Sequence, residues 1–254
     1  MSIETMLTVE SLCKSTDKDI LLRNLTFSIS KKGIHGLLAP HGAGKTALLR
    51  ILAGWDNVFE GEILLGEASL AKDALTRKRR IGFLPEIPVT DPSMTVEETM
   101  VFVGRAKRVP AEKLNARIGE ALELVGLSGL SRRLCGNLTA FERQKLSVAM
   151  ALVGNPKLLL MDEPTGKLGR AEAKEMWELI RMLGEVKTVL LATDQYEEAV
   201  ELCDDILLMA DGRILASGTV AELEEQLAKK QGEGGMTLSA VYASLDGGRK
   251  EGRK

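Results

Sequence analysis

Eight residues, Ala39 to Thr46 (APHGAGKT), limit what this chain can fold into more than any other stretch. They lie between a short apolar run, Ile34 to Leu38, and a helical pattern, Ala47 to Leu52. Strand, glycine loop and helix together are the setting of a phosphate-binding loop. Gly42 and Gly44, on either side of Ala43, let the backbone turn successive N–H groups toward one anion. The following helix directs its positive end at the same point. In such a loop Lys45 reaches the β- and γ-phosphates, and the Thr46 hydroxyl can ligate Mg²⁺. One position is off pattern. Ala39 stands where the motif begins with glycine, and alanine does not adopt a positive φ cheaply.

The rest of the chain can build a sizeable core around that loop, since 254 residues allow one large domain or two small ones. A net charge of −2 gives no broad basic footprint for nucleic acid. Cys13, Cys135 and Cys203 lie far apart with no CxxC pair, which fits a reducing cytosol and neither a disulfide framework nor a zinc site. The N-terminus is polar and does not read as a signal peptide. No apolar run approaches the ~20 residues that cross a bilayer. Work at a membrane would therefore go through a partner.

Met6 to Leu12 alternates like a strand, Leu25 to Ile29 reads as a second, and Glu62 to Leu65 as an edge strand. The first third is thus expected to be β-rich, with one helix. From Pro88 to Gly154 the texture turns helical, over Val96 to Val103, Ala111 to Leu124 and Leu138 to Leu152. Lys157 to Met161 (KLLLM) and Thr188 to Ala192 (TVLLA) are continuous apolar runs, suited to strands buried on both faces of a parallel sheet. Helical patterns over Ala171 to Leu183 and Glu197 to Cys203, with a strand at Ile206 to Met209, complete the alternation. The class that follows is α/β, doubly wound. One domain is expected over 1–230, its last elements an edge strand at Gly212 to Gly218 and a short helix at Ala221 to Leu227. A glycine-rich linker from Gln231 to Gly235 and a mobile charged tail from Gly247 to Lys254 follow.

Asp162 and Glu163 close the KLLLM strand at its carboxyl end. In a phosphate-loop ATPase such an aspartate holds Mg²⁺, and the glutamate after it polarises the attacking water. The plain alternative is a pair of solvated carboxylates opening a loop.

Several segments resemble the ATP-binding subunit of an ABC transporter, in order and spacing, over nearly the whole chain. GLLAPHGAGKTALLRILAG (Gly36 to Gly54) is similar to the family's phosphate motif, and IGFLPE (Ile81 to Glu86) to its Q-loop, with Glu86 at the glutamine position. NLTAFERQKLSVAMALVGNPKLLLMDEPTG (Asn137 to Gly166) resembles the signature helix running into the Walker B strand. ADGRILASGT (Ala210 to Thr219) resembles the strand turn after the switch, and MTLSAVYASL (Met236 to Leu245) the short C-terminal helix of drug-resistance-type exporters. The resemblance implies a P-loop NTPase core of ABC type, an antiparallel edge sheet and a helical subdomain at about 88–154. It implies ATP and Mg²⁺ as ligands, at His41, Gly42, Ala43, Gly44, Lys45, Thr46, Ala47 and Glu86 for nucleotide, and at Thr46, Asp162 and Glu86 for the metal. It implies Glu163 as the catalytic carboxylate, a homo- or heterodimer of such subunits, and a transmembrane permease as partner. The implied location is peripheral, at the cytoplasmic face of the membrane.

The departures from the family pattern bear on activity. Thr16 replaces the aromatic that stacks on adenine, His41 stands at an asparagine-like position, and Ala47 lacks the hydroxyl that commonly touches the α-phosphate. The signature LSGGQ appears as Leu138, Thr139, Ala140, Phe141 and Glu142, which puts a bulky ring and a carboxylate where glycines let N–H groups approach a partner's γ-phosphate. Gly169 stands at the D-loop aspartate and Asp194 at the switch histidine. An ionised aspartate only accepts hydrogen bonds, so the donor is missing even if Asp194 points away or pairs with a cation. Its own defect weakens its own site, and the signature defect weakens the partner's. The expectation is an exporter-type subunit with slow or absent hydrolysis. A fully active ATPase with unusual residues and a soluble ABC protein of translation or repair are the alternatives.

Overall fold

The computed structural model describes residues 5–16, 19–30, 32–70, 72–231 and 237–251. Strands β1 (Thr5–Ser15), β2 (Ile20–Ser30) and β3 (Gly33–Leu38) lead to helix α1 (Lys45–Leu52). Strands β4 (Glu60–Leu65) and β5 (Ala68–Ser69), helix α2 (Ala74–Arg80) and strand β6 (Ile81–Leu84) follow. Helices α3 (Val96–Ala106), α4 (Ala111–Leu124) and α5 (Ala140–Leu152) come next. The chain then alternates through β7 (Leu158–Asp162), α6 (Arg170–Val186), β8 (Thr188–Thr193), α7 (Tyr196–Leu202) and β9 (Asp205–Ala210). Strand β10 (Arg213–Gly218) and helices α8 (Val220–Gln231) and α9 (Leu238–Glu251) end it.

Two sheets divide these strands. The central one runs β10-β9-β3-β8-β7-β6, with β9, β3, β8, β7 and β6 parallel and β10 antiparallel at its edge. Every residue of β7 and β8 is buried, because both faces of the sheet are covered and no position may face water. The second sheet, β2-β1-β4-β5, is antiparallel. Its inner face, including Leu7, Val9, Phe27, Ile29 and Ile63, packs with α1 against the central sheet through Leu37, Leu160 and Leu190. The other side of the central sheet is covered by α5, α6 and α7, and α3 and α4 pack on α5. On α6, Met176, Leu179, Ile180, Leu183 and Gly184 are buried, an apolar stripe at helical spacing that turns inward. No helix among the described residues is long and apolar enough to cross a membrane.

Several boundaries differ from the sequence reading. The first third carries a second helix, α2, whose sequence ALTRKRR has no apolar periodicity. It is held instead by the Asp73 side chain, which accepts from the Thr76 N–H at 2.9 Å, and by the wholly buried Arg77, which donates to Asn57 at 2.7 Å and lies 5.5 Å over the Phe59 ring. Strand β2 begins at Ile20, five residues before Leu25, because pairing with β1 continues past an irregularity where Asn24 takes φ 52°. Helix α1 begins at Lys45, inside the glycine loop, and α5 begins at Ala140, with Leu138 outside it. Helix α8 runs on through Gln231; the remainder of the expected linker lies outside the described residues. Residues 247–251 of the expected tail are the end of α9. The tail's last three residues lie outside the described set.

Candidate nucleotide site

In the central sheet β8 lies between β3 and β7, and the three are parallel. The glycine loop, the Asp162-Glu163 pair and Asp194 therefore emerge at one edge, the carboxyl ends of the strands, where doubly wound sheets bind ligands. The glycine loop, Glu163 and Asp194 line one cavity of about 530 Å³, and Asp162 is buried beside it without lining it. Its walls include His41, Gly42, Gly44, Lys45, Thr46, Ala47, Glu86, Glu163 and Asp194. Of the residues expected at the nucleotide, Ala43 does not line it: Ala43 is 2% exposed and its carbonyl accepts from the Gly212 N–H at 3.1 Å. Ala39 keeps a negative φ, so the missing first glycine of the motif costs nothing in this backbone. Positive φ falls on Gly42 (75°) and Gly44 (109°). At Gly44 a Cβ would lie 2.8 Å from the Leu21 carbonyl oxygen, so both conformation and space require glycine.

Lys45 is 5% exposed and folds back into the loop. Its ammonium donates to the Ala39 carbonyl at 2.6 Å and the Pro40 carbonyl at 3.3 Å, and it pairs with Glu163 Oε1 at 3.0 Å. Glu163 holds φ 47°, an unusual value for a non-glycine residue. Its second oxygen accepts the Asp194 N–H at 3.2 Å. Burial pushes the Glu163 carboxyl up to about 7, against the opposing pull of Lys45. Just behind it Asp162 is 1% exposed and neither carboxylate oxygen has a hydrogen-bond partner. Burial raises its pKa; the Thr46 hydroxyl nearby favours the charged form without completing a bond of ordinary geometry. A carboxylate left like this in the interior is costly, and a hard cation shared with Thr46 and phosphate oxygens is what would satisfy it. Glu86, the third expected metal ligand, is paired with Lys167 at 3.0 Å.

The signature residues stand apart from this cavity. Ala140 lines a neighbouring cavity of about 210 Å³, which shares Glu86, Glu163 and Lys167 with the first. Thr139 and Glu142 form a capping box on α5: the Glu142 carboxylate accepts the Thr139 N–H at 2.7 Å, and the Thr139 hydroxyl accepts the Glu142 N–H at 3.1 Å. Glu142 thus neutralises its own helix end, and Arg133 lies 3.4 Å away. Phe141 is half-buried against the helical layer, with the Lys145 ammonium 4.4 Å above its ring. Leu138 is buried. The Thr16 hydroxyl donates to the Asp19 carbonyl and accepts the Asp19 N–H, both at 3.1 Å, and offers no stacking surface. Gly169, at the D-loop position, starts α6, its N–H donating to Glu172 at 3.0 Å.

Two residues at the switch have no signal in local sequence. The Tyr242 hydroxyl on α9 donates to the Asp194 carbonyl at 2.7 Å, across 48 residues, and its ring stacks on Tyr196. Glu198 on α7 is fully buried and accepts from the Thr165 hydroxyl at 2.6 Å and the Trp177 indole at 3.0 Å; its other oxygen has no partner. Burial foremost, with Asp194 adding to it, raises the Glu198 pKa. The folded chain then binds a proton there that the unfolded chain has already released, so stability falls as pH rises above about 4.3. Glu198→Gln keeps the acceptor and removes the buried charge. It is expected to stabilise the protein by about 1–2 kcal/mol at pH 8 and by nothing at pH 4, read from urea midpoints. An equal shift at both pH values would show that the charge is not the cause.

A glycine loop, its lysine and a carboxylate pair at the switch edge of a doubly wound sheet define a nucleotide-binding protein of the P-loop class. The chain belongs to the ABC transporter family, as an ATP-binding subunit: the family's sequence pattern matches residues 22–166. It is 36% identical over 222 residues to the ABC transporter ATP-binding protein YxlF of Bacillus subtilis, covering 87% of this chain and 73% of that one. It is 36% identical over 228 residues to the sulfate/thiosulfate import ATP-binding protein CysA of Thermosynechococcus vestitus, covering 87% of this chain and 66% of that one. The Nod factor export ATP-binding protein I of Ralstonia nicotianae is 34% identical over 219 residues, with 86% and 68% covered. The fold is shared with a solved ATP-binding subunit of an ABC transporter, at a TM-score of 0.81, 23% identity and coverage of 95% and 99%. It is also shared with the dimeric cassette MJ0796 bound to ADP and Pi, at 0.74, 23% identity and coverage of 84% and 98%.

Proposed function

We propose that this chain binds Mg-ATP in the 530 Å³ cavity and drives an exporter-type membrane transporter as one subunit of a homo- or heterodimer, hydrolysing ATP slowly or not at all. One observation carries the reading: Lys45, Thr46, Asp162 and Glu163 converge as a binding half, while the switch position presents Asp194, a side chain without a donor. The orphaned Asp162 carboxylate and the Thr46 hydroxyl fit Mg²⁺, which would supply charge to the phosphates when bound. Glu163 would accept a proton from water, and its pKa near 7 suits a base. What opposes fast turnover is the lack of a preorganised donor at Asp194 and the ring of Phe141 at the face toward a partner's ATP. The outward direction is supported by likeness to the Nod factor export protein and by the C-terminal helix; likeness to CysA, an import protein by name, leaves direction to be tested by transport. Phosphate release from Mg-ATP tests the central claim. A rate of about 1 per second or faster, abolished by Glu163→Gln, would overturn it.

A permease at the cytoplasmic face of the membrane is supported by exposed apolar side chains after Glu86 and on α3. Ile87, Val89 and Phe102 are 65%, 62% and 66% exposed, and Phe102 lines a groove of about 610 Å³ with Met94 and Val101. Exposed apolar clusters of this kind mark partner surfaces. Phe102→Glu is expected to lower retention on membranes holding a co-expressed permease at least tenfold, the cost of one buried anchor. Unchanged co-sedimentation would remove this surface from the reading.

A further inference from the structure

The phosphate cavity holds a second cation that none of the roles above uses. Lys167, in the turn between β7 and α6, lines it together with Lys45, Glu86, Glu163, Asp194 and Gln195. Its side chain is 59% exposed and meets Glu86 Oε1 at 3.0 Å, where Glu86 is itself 39% exposed. Exposed pairs of this kind contribute little and exchange readily. Lys45, by contrast, is buried and tied to two carbonyls and Glu163. Among the described residues the cavity wall thus carries three carboxylates, at Glu86, Glu163 and Asp194, and of its two lysines Lys167 is the one in an exposed, exchangeable pair. A triphosphate entering here meets acid where the switch should donate. The Glu86 pair and an ammonium–phosphate bond are both charge-assisted, but a terminal phosphate offers more negative charge and more acceptor oxygens than one carboxylate.

We propose that Lys167 is a nucleotide-binding residue that leaves Glu86 for the terminal phosphate and so makes the site prefer a nucleoside triphosphate over a diphosphate. This rests on the reading of the cavity as the ATP site. It gives Glu86 a role as the resting partner of Lys167, which holds the lysine at the cavity mouth until nucleotide arrives.

The test is titration of the full chain with Mg-ADP and with a Mg-ATP analogue whose terminal phosphate resists hydrolysis. Lys167→Met is expected to weaken the triphosphate about tenfold and to leave ADP within about twofold. Lys167→Arg keeps most of the preference, because the cation is retained. Glu86→Gln is expected to tighten the triphosphate by about two- to fivefold, since a weak competing partner and one carboxylate of the phosphate's own sign are removed from the wall. If the pair were merely a clamp between two loops, Lys167→Met and Glu86→Gln would both weaken binding. That result, equal losses for both nucleotides, or no effect of Lys167→Met would overturn the proposal. A wild-type chain that binds neither nucleotide would overturn the ATP-site reading, and this proposal with it, whereas normal binding with an unchanged triphosphate preference in Lys167→Met overturns the proposal alone.

Discussion

Replacing Asp194 with histidine is expected to raise the ATP turnover of this protein, modestly alone and by about a hundredfold or more when combined with Phe141→Gly. The backbone at 194 is already anchored: its N–H donates to Glu163 at 3.2 Å and its carbonyl accepts from the Tyr242 hydroxyl at 2.7 Å. A new side chain would therefore enter the cavity without rebuilding the loop. The histidine would add a donor where negative charge develops, an effect worth about 3–4 kcal/mol in comparable sites. It would also remove a carboxylate of the same sign as the phosphate. Phe141 limits the gain, since in a homodimer the partner's signature must also approach. Taking away its half-buried ring should open that face, while Lys145 keeps its ion pair with Glu175. Phosphate release by the single and double variants reads both effects. No gain in the double variant would show that slow turnover, if present, has another origin.

Asp162→Asn is expected to separate binding from folding. The wild-type carboxylate is buried, and both of its oxygens lack hydrogen-bond partners. Without a cation its charge is a liability, so the amide should not lower the stability of the nucleotide-free chain. With Mg-ATP the loss should be large, about 3 kcal/mol or roughly a hundredfold in affinity, because a charged partner of the metal is gone. Calorimetric titration with Mg²⁺ and with a chelator, beside urea melts of the nucleotide-free protein, gives both numbers. Equal Mg²⁺ dependence in wild type and variant would take Asp162 out of the metal site. A destabilised nucleotide-free chain would instead assign the carboxylate a structural partner.

The parts of the site that could be read from sequence are those whose chemistry is local. A phosphate loop needs its glycines, lysine and threonine within eight residues, and the observed φ values at Gly42 and Gly44 follow that need. The two apolar runs at KLLLM and TVLLA announce buried parallel strands because both faces must be apolar, and β7 and β8 are wholly buried. Helix α2 was hidden for the opposite reason. Its stability comes from one cap and one buried arginine, and neither produces a periodic pattern. Glu142 reads as a misplaced charge beside a phosphate site, yet in the fold it closes a capping box, a use that the Thr139–Glu142 spacing itself encodes.

The amino-acid sequence by itself determined the phosphate loop, the alternation of buried strands with helices, the carboxylates at the end of β7 and an acceptor-only side chain at position 194, because each depends on residue type at short spacing. Only the tertiary structure decided which charges face one another. Lys45 meets Glu163, Lys167 meets Glu86, and Tyr242 fastens the Asp194 loop because parallel strands far apart in the chain end at one edge of one sheet. Pairings of that kind depend on chain crossing and burial, which set distances and pKa values, and no local spacing carries them.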